Sequence, residues 1–152
     1  MRADRAGRPH GRAGLQALPA HARLARAFAG WVDADPDWER LAPVPFSTVC
    51  FRLRPRGWAA DDPRLNPLNE RLREAVNATG TVFLSLAVLP GPPAPRTSTA
   101  ARRTGAVGPG ATRYALRLAI RQVRTEERHV REAWEVLRAE ALRLGATPPL
   151  LA

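Results

Sequence analysis

The sequence predicts an α/β protein of the α+β type, a two-layer sandwich in which three or four mainly antiparallel strands carry helices on one face. Two observations predict this fold. Apolar residues recur with helical spacing in three segments and alternate with polar residues, or form a short apolar run, in others. The order helix, strand, strand, helix, strand, loop, strand, helix places strands next to each other along the chain, which favours antiparallel pairing. The length of 152 residues suits a single domain.

The first element is predicted to be a helix over residues 15–33. Its apolar stripe has the spacing i, i+4, i+7, i+8 at Leu24, Phe28, Trp31 and Val32. Pro19 would either kink this helix or mark its first turn. The preceding residues 1–12 are rich in Arg, Gly and Pro, and we expect them to form a disordered basic arm.

Two strands are expected next. Residues 38–42 form a short candidate strand, which Pro43 ends. In residues 47–54, apolar side chains alternate with Cys50, Arg52 and Arg54, the period of a half-buried strand. The sequence therefore predicts that these two arginines face away from the core.

A second helix is predicted to begin at Asn66, acting as N-cap, with Pro67 in the first helical position. Leu65, Leu68, Leu72 and Val76 mark its apolar face, and Gly80 is the expected left-handed terminator. Residues 81–89 then form an almost continuous apolar run. We expect this run to be a central strand buried on both faces.

Residues 90–112 contain five prolines and four glycines and no apolar period, which predicts a long flexible insertion. Residues 113–121 alternate again and predict a strand. Thr125 is the expected N-cap of a last helix, and Gly145 its end. The predicted domain spans residues 13–147, followed by a frayed tail over 148–152. The apolar stripe of the last helix comprises Val130, Ala133, Trp134, Leu137, Ala141 and Leu144.

The formal net charge is +10, and all 24 basic residues are arginine. The arginines are spread along the chain rather than clustered with aromatic residues, so the codon usage of a GC-rich genome explains them better than a nucleic-acid surface. The absence of lysine from the sequence excludes a Schiff-base lysine and a Walker-type phosphate loop within this chain.

No catalytic, cofactor-binding or metal-binding residue is predicted from the sequence. The three histidines, His10, His21 and His129, lack metal-ligand spacing, and His129 is expected on a helix flank. Cys50 is expected to be a buried structural thiol, and the single cysteine fits a reducing compartment. The acidic run at Asp33, Asp35, Asp37 and Glu39, like the pair at Asp61 and Asp62, is expected to be a solvated turn. No apolar run approaches the ~20 residues of a membrane span, so we expect a soluble cytoplasmic protein.

Six blocks of the sequence, in this order, carry a family resemblance: WVDADPDWE (31–39), VCFRLR (49–54), LNERL (68–72), VFLS (82–85), YALRLAI (114–120) and RTEE (124–127). They resemble the C-terminal region of group II pyridoxal-phosphate (PLP) dependent amino-acid decarboxylases, which include the aromatic-amino-acid, tyrosine and tryptophan enzymes. The resemblance covers roughly residues 11–145. Three positions depart from it: Leu86 stands where the family commonly has histidine, Arg121 where it often has glycine, and the segment 90–112 replaces a short turn.

The resemblance implies the small domain of a fold-type-I PLP enzyme, normally a homodimer. In that family a large preceding domain carries the cofactor and the Schiff-base lysine, so this chain would pack on such a domain and not be catalytic alone. Arg117 is the residue we expect to face that domain, with an exposed strand arginine as the alternative. A second hypothesis is a stand-alone α/β module that binds a small effector or RNA, although nucleic-acid binding is not favoured.

Overall fold

The computed structural model describes residues 12–91, 112–122 and 124–145. The predicted arm up to residue 11, most of the insertion 90–112 and the tail 148–152 lie outside these residues. The described part of the chain contains three helices and four strands. They are α1 (Arg12–Ala34), β1 (Trp38–Arg40), β2 (Thr48–Leu53), α2 (Leu65–Ala78), β3 (Ser85–Leu89), β4 (Arg113–Ala119) and α3 (Glu127–Arg143).

The strands form one antiparallel sheet in the order β1-β2-β4-β3. The predicted fold class and the order of elements are therefore confirmed. The prediction of a central strand over residues 81–89 is wrong in two respects, since only Ser85–Leu89 are extended and β3 lies at the sheet edge. An apolar run does not reveal its position in a sheet, and here Val88 is 59% exposed.

All three helices pack on one face of the sheet, where the core lies. In the cross-strand register Val49 and Phe51 of β2 stand opposite Leu118 and Leu116 of β4, and all four are buried. Phe28 of α1 contacts Phe51 edge-on, with the ring centroids 5.2 Å apart. Further core contacts come from Trp134 of α3 and from Leu72 and Val76 of α2. The apolar stripes predicted for the helices are thus the faces that contact the sheet.

Helix α1 runs through Pro19 without a break and ends at Ala34, one residue beyond the predicted end at Asp33. It begins at Arg12, three residues earlier than predicted. Gly80 and Gly145 have φ of 72° and 66°, as expected of glycines that end α2 and α3. Both helix ends predicted from glycine are confirmed.

Helix α2 begins at Leu65, so the prediction that Asn66 is its N-cap is wrong. The Asn66 side chain accepts a hydrogen bond from the Tyr114 N–H (2.9 Å) and donates to the Thr112 carbonyl (2.9 Å). One turn on, the buried Asn69 accepts from the Leu53 N–H (2.8 Å) and donates to the Leu53 carbonyl (2.8 Å). Continuing the register of β2 and β4, Leu53 and Tyr114 would stand two positions beyond the last pair, Phe51 and Leu116. The two amides form hydrogen bonds with their backbone groups instead of a strand pair.

The N-cap of α3 is Glu126 rather than the predicted Thr125. His129 Nδ1 accepts a hydrogen bond from the Glu126 N–H at 3.0 Å, the reciprocal half of a capping box. Glu127 and Arg131 form an i,i+4 ion pair on this helix, with 2.8 Å between carboxylate and guanidinium. His129 is exposed on the helix flank, as expected.

Candidate functional site: the uncovered end of the sheet

The face of the sheet opposite the helices is covered at one end by the loop between β2 and α2. Arg52 of β2 is only 1% exposed on this face, and it donates to the Ala60 carbonyl (2.8 Å) and to the Glu39 carboxylate (2.9 Å). The neighbouring Arg54 donates to the Trp58 carbonyl at 3.1 Å. Arg52 therefore faces away from the core, as expected, but it is buried there, because the loop and a carboxylate together satisfy its guanidinium.

The acidic run at the end of α1 and just after it forms ion pairs with arginines, although Asp33 stays exposed. Asp37 is 4% exposed and accepts a hydrogen bond from the Arg56 N–H at 2.8 Å. Asp33 pairs with Arg40 at 2.9 Å. The prediction of a solvated turn is wrong for Asp37, because this side chain caps the turn that follows β2. Asp35 and Glu39 likewise lie within 4.0 Å of Arg138 and of Arg52 and Arg54.

At the other end of the same face, where β2 and β3 begin and β4 ends, no described loop covers the strands. Arg117 lies in the centre of a row across three strands, opposite Cys50 of β2 and Ser85 of β3. Cys50 is partly exposed there, so the prediction of a buried thiol is wrong, because its side of the sheet is uncovered. Arg117 is half-buried and has no ion pair or side-chain hydrogen bond within the described residues.

A cleft of about 480 Å³ opens beside Arg117, between the end of β4, the segment before β3 and the first turns of α3. Arg117 and Arg121 line it, together with the hydroxyl groups of Ser85 and Thr125 and the imidazole of His129. No carboxylate is among the described residues that line the cleft. The cleft is therefore positively charged and presents donors suited to an anionic group.

Two aromatic side chains project into solvent at this end of the sheet. Phe83, in the cleft wall, is 76% exposed, and Phe46, just before β2, is 77% exposed. The Ile120 N–H donates to the Ser47 carbonyl at 2.8 Å, which places the residue after Phe46 against the end of β4. Exposed aromatic residues around a cationic cleft are typical of an interaction surface. We name this surface, comprising Phe46, Phe83, Arg117, Arg121 and the cleft, the sheet-end surface.

Sequence reasoning found Arg117 but missed the remainder of the sheet-end surface. Phe46 and Phe83 are indistinguishable in sequence from core aromatics, because apolar alternation does not say which loops cover a sheet. Arg121 was noted only as a departure from a family pattern. The register of three strands was needed to bring these residues together.

Two further features bear on function. The described residues contain no group of three or more His, Cys, Asp and Glu side chains placed to hold a metal ion. Within the same ranges, no helix has both the length and the apolar character needed to cross a membrane.

The two histidines among the described residues have structural positions. His21 is 5% exposed within α1, and His129 accepts a hydrogen bond in the N-terminal cap of α3.

No family model matches the chain, but individual proteins are clearly similar to it. Tyrosine decarboxylase 1 of Narcissus pseudonarcissus is 33% identical over 131 residues, which cover 84% of this chain and 21% of the relative. Phenylacetaldehyde synthase of Arabidopsis thaliana is 34% identical over 121 residues, which cover 80% of this chain and 20% of the relative. The chain thus spans about a fifth of the length of the curated relatives it matches.

The structure of Oryza sativa TDC with PLP and tryptamine has a TM-score of 0.65 and 26% identity, covering 85% of this chain and 23% of the other. Sequence and fold together define the small α/β domain of a PLP-dependent enzyme. The chain is homologous to the C-terminal part of the group II PLP-dependent amino-acid decarboxylases. The resemblance found in the sequence is confirmed.

Proposed function

We propose that this chain acts as the C-terminal small domain of a PLP-dependent decarboxylase of aromatic L-amino acids, packing on a larger cofactor-bearing domain. One observation carries the proposal: similarity extends over 80% or more of this chain but reaches only about a fifth of each relative. The names of the relatives support the substrate class, since one is a tyrosine decarboxylase and another structure holds tryptamine.

The residues of this chain do not fit covalent attachment of PLP. The sequence contains no lysine, and the amine of a lysine side chain is what forms the Schiff base with this cofactor. When bound, PLP supplies the electron sink for loss of the carboxyl group. We therefore assign this chain no chemical step, and its proposed contribution is to pack against the domain that performs the reaction.

Two finer statements belong to the same proposal. A homodimer is what the family resemblance implies. A cytoplasmic location is supported by the single cysteine, which leaves no disulfide within the chain. Size-exclusion chromatography with light scattering tests the dimer, on a relative in which the matched segment has been exchanged for this chain.

Replacing the matched segment of a relative tests the proposed function. The 131-residue match in Narcissus pseudonarcissus tyrosine decarboxylase 1 would be exchanged for this chain, giving a domain-replacement enzyme. We expect it to release carbon dioxide from L-tyrosine, whereas the same enzyme without the segment should not. The control is replacement by an unrelated α/β domain of similar length. Activity no higher than this control would contradict the proposal.

The stand-alone RNA-binding module is less well supported. RNA-binding sheets stack bases on aromatic side chains of an open face. On the face opposite the helices, the described positions of β2, β3 and β4 carry no aromatic residue, since Phe51 and Tyr114 lie on the core side. A small effector would have to use the cleft beside Arg117.

A further inference from the structure

We propose that the sheet-end surface is a docking site for a protein segment that carries a carboxylate beside apolar side chains, and that this carboxylate binds Arg117. The proposal rests on the proposed function, because it assigns the segment to the large cofactor-bearing domain. It goes further by naming the surface, the anchoring residue and the chemistry of the partner.

The charge balance of the described residues sets Arg117 apart. Ten arginines lie within 4.0 Å of a carboxylate, from Arg40 in β1 to Arg143 in α3. Two half-buried arginines of the described residues, Arg113 and Arg117 of β4, are not among them. Arg113 donates to the Pro90 carbonyl at 3.3 Å, whereas Arg117 has no side-chain hydrogen bond within the described residues. Partial burial without an anionic partner is unfavourable for a guanidinium, and a carboxylate with two oxygens fits its fork of donors.

Few carboxylates of this chain are available to pair with Arg117. Nine of its 14 acidic residues already pair with arginines, from Asp33 to Glu140. Asp61, Glu70, Glu132 and Glu135 are exposed and do not line the cleft. Outside the described ranges the sequence contains one acidic side chain, Asp4. The carboxylate for Arg117 is therefore expected from another part of the assembly.

The exposed aromatics favour a protein segment over a small acid. Phe83 stands in the cleft wall, but Phe46 is not among the lining residues, so a ligand confined to the cleft would leave it in water. A protein segment long enough to cover both rings would bury them and seat an acidic side chain on Arg117. Four-fifths of each relative lies outside the part this chain matches, which supplies a body large enough to present such a segment.

The absence of lysine from the sequence allows a specific test. Arg117→Lys introduces the only lysine of this chain and keeps the positive charge. A water-soluble carbodiimide then joins the lysine amine to a touching carboxylate, forming an amide while the carbodiimide takes up the water as a urea. Arg71→Lys, on the exposed side of α2, is the matched control. Both variants would be made in the domain-replacement enzyme, and the linked peptides identified by mass spectrometry.

We expect Arg117→Lys to give a cross-link to one Asp or Glu of the large domain, with at least tenfold greater yield than Arg71→Lys. A cross-link to a carboxylate of this chain or of a second copy of it would overturn the proposal. Equal yields from the two variants, in an enzyme that releases carbon dioxide, would also overturn it while leaving the proposed function intact. An inactive domain-replacement enzyme contradicts the proposed function, and this inference fails with it.

A charge reversal gives an independent readout. Arg117→Glu should reduce carbon dioxide release by the domain-replacement enzyme at least tenfold, and reversal of the cross-linked carboxylate to Arg should restore it. Saturating sodium 4-hydroxybenzenesulfonate, a small aromatic anion that the carbodiimide does not activate, should leave the Arg117→Lys cross-link unchanged. Loss of the cross-link in its presence would indicate that the cleft binds a small acid and would contradict a protein occupant.

Discussion

At the scale of single residues, polar side chains in the interior form hydrogen bonds with backbone groups that have no partner in a neighbouring strand. Asn69 satisfies both backbone groups of Leu53, and Arg52 joins β2 to the loop that covers it. The sequence predicted neither role. A buried asparagine on a helix face looks like any polar residue near an apolar stripe, and Arg52 has the alternation of an exposed position. Their partners are distant in sequence, so only the folded chain reveals them.

Asn69→Ala should lower the free energy of unfolding by about 2–4 kcal/mol, because it leaves the buried N–H and carbonyl of Leu53 unsatisfied. Urea unfolding followed by tryptophan fluorescence measures the change. Glu70→Ala, the next position and exposed, is the control and should change stability by less than about 0.5 kcal/mol. Equal effects of the two substitutions would show that the Asn69 amide does not hold the strand end.

Arg52→Ala should lower the free energy of unfolding by about 3 kcal/mol, since a buried ion pair loses one partner and the Ala60 carbonyl loses its donor. Arg71→Ala, which removes an exposed arginine without an ion pair in the described residues, should have little effect. The same urea titration compares them. A loss below about 1 kcal/mol for Arg52→Ala would mean that the covering loop moves aside at little cost.

At the scale of elements, apolar periodicity predicted the identity of each helix and strand, but chemistry at their ends set the boundaries. Helix α3 starts at Glu127 because His129 satisfies the Glu126 N–H, a cap that the Thr125 signal obscured. Strand β3 begins only at Ser85, because the Asn77 amide accepts from the Leu84 N–H (2.8 Å) and donates to the Leu84 carbonyl (3.0 Å). The apolar periodicity of the sequence does not reveal side-chain hydrogen bonds of this kind.

The sequence predicted Thr125 as the N-cap of α3, whereas the structure shows Glu126 with His129, and substitutions can tell the two apart. His129→Ala should destabilise the protein by about 0.5–1 kcal/mol, and Thr125→Ala should have no comparable effect. His129→Gln should retain most of the stability, because glutamine at the third helical position can accept the same N–H. Thermal unfolding by circular dichroism compares the three variants. A larger loss of stability from Thr125→Ala than from His129→Ala would show that Thr125 is the N-cap.

The turn before α2 should show a pH dependence. Hydrogen bonds from the Arg64 side chain and N–H lower the pKa of Asp62 from 3.8 to about 2. A carboxyl group with a lowered folded-state pKa stabilises the fold above pH ~4 and loses that contribution as the pH falls toward ~2. Carbon-detected NMR titration should place the Asp62 midpoint near 2 and, in Arg64→Ala, closer to 3.8. An identical midpoint in both proteins would contradict this cause.

At the scale of the whole molecule, the element order and the one-sided layer of helices could be predicted from the sequence, but the order of strands could not. Pairing of both β2 and β3 with β4 places the residues before β2 and those before β3 at the same end of the sheet. That topology brings Phe46, Phe83 and Arg117 to one uncovered end. The family followed from several blocks in order, and the docking surface followed only from the fold.

The most direct measurement is the rate of carbon dioxide release from L-tyrosine with added PLP, compared between the purified 152-residue chain and the domain-replacement enzyme. We expect turnover by the domain-replacement enzyme and, for the chain alone, no rate above that of PLP in buffer, because the chain has no lysine to hold the cofactor. Turnover by the chain alone would contradict the claim that it works as one domain of a larger enzyme.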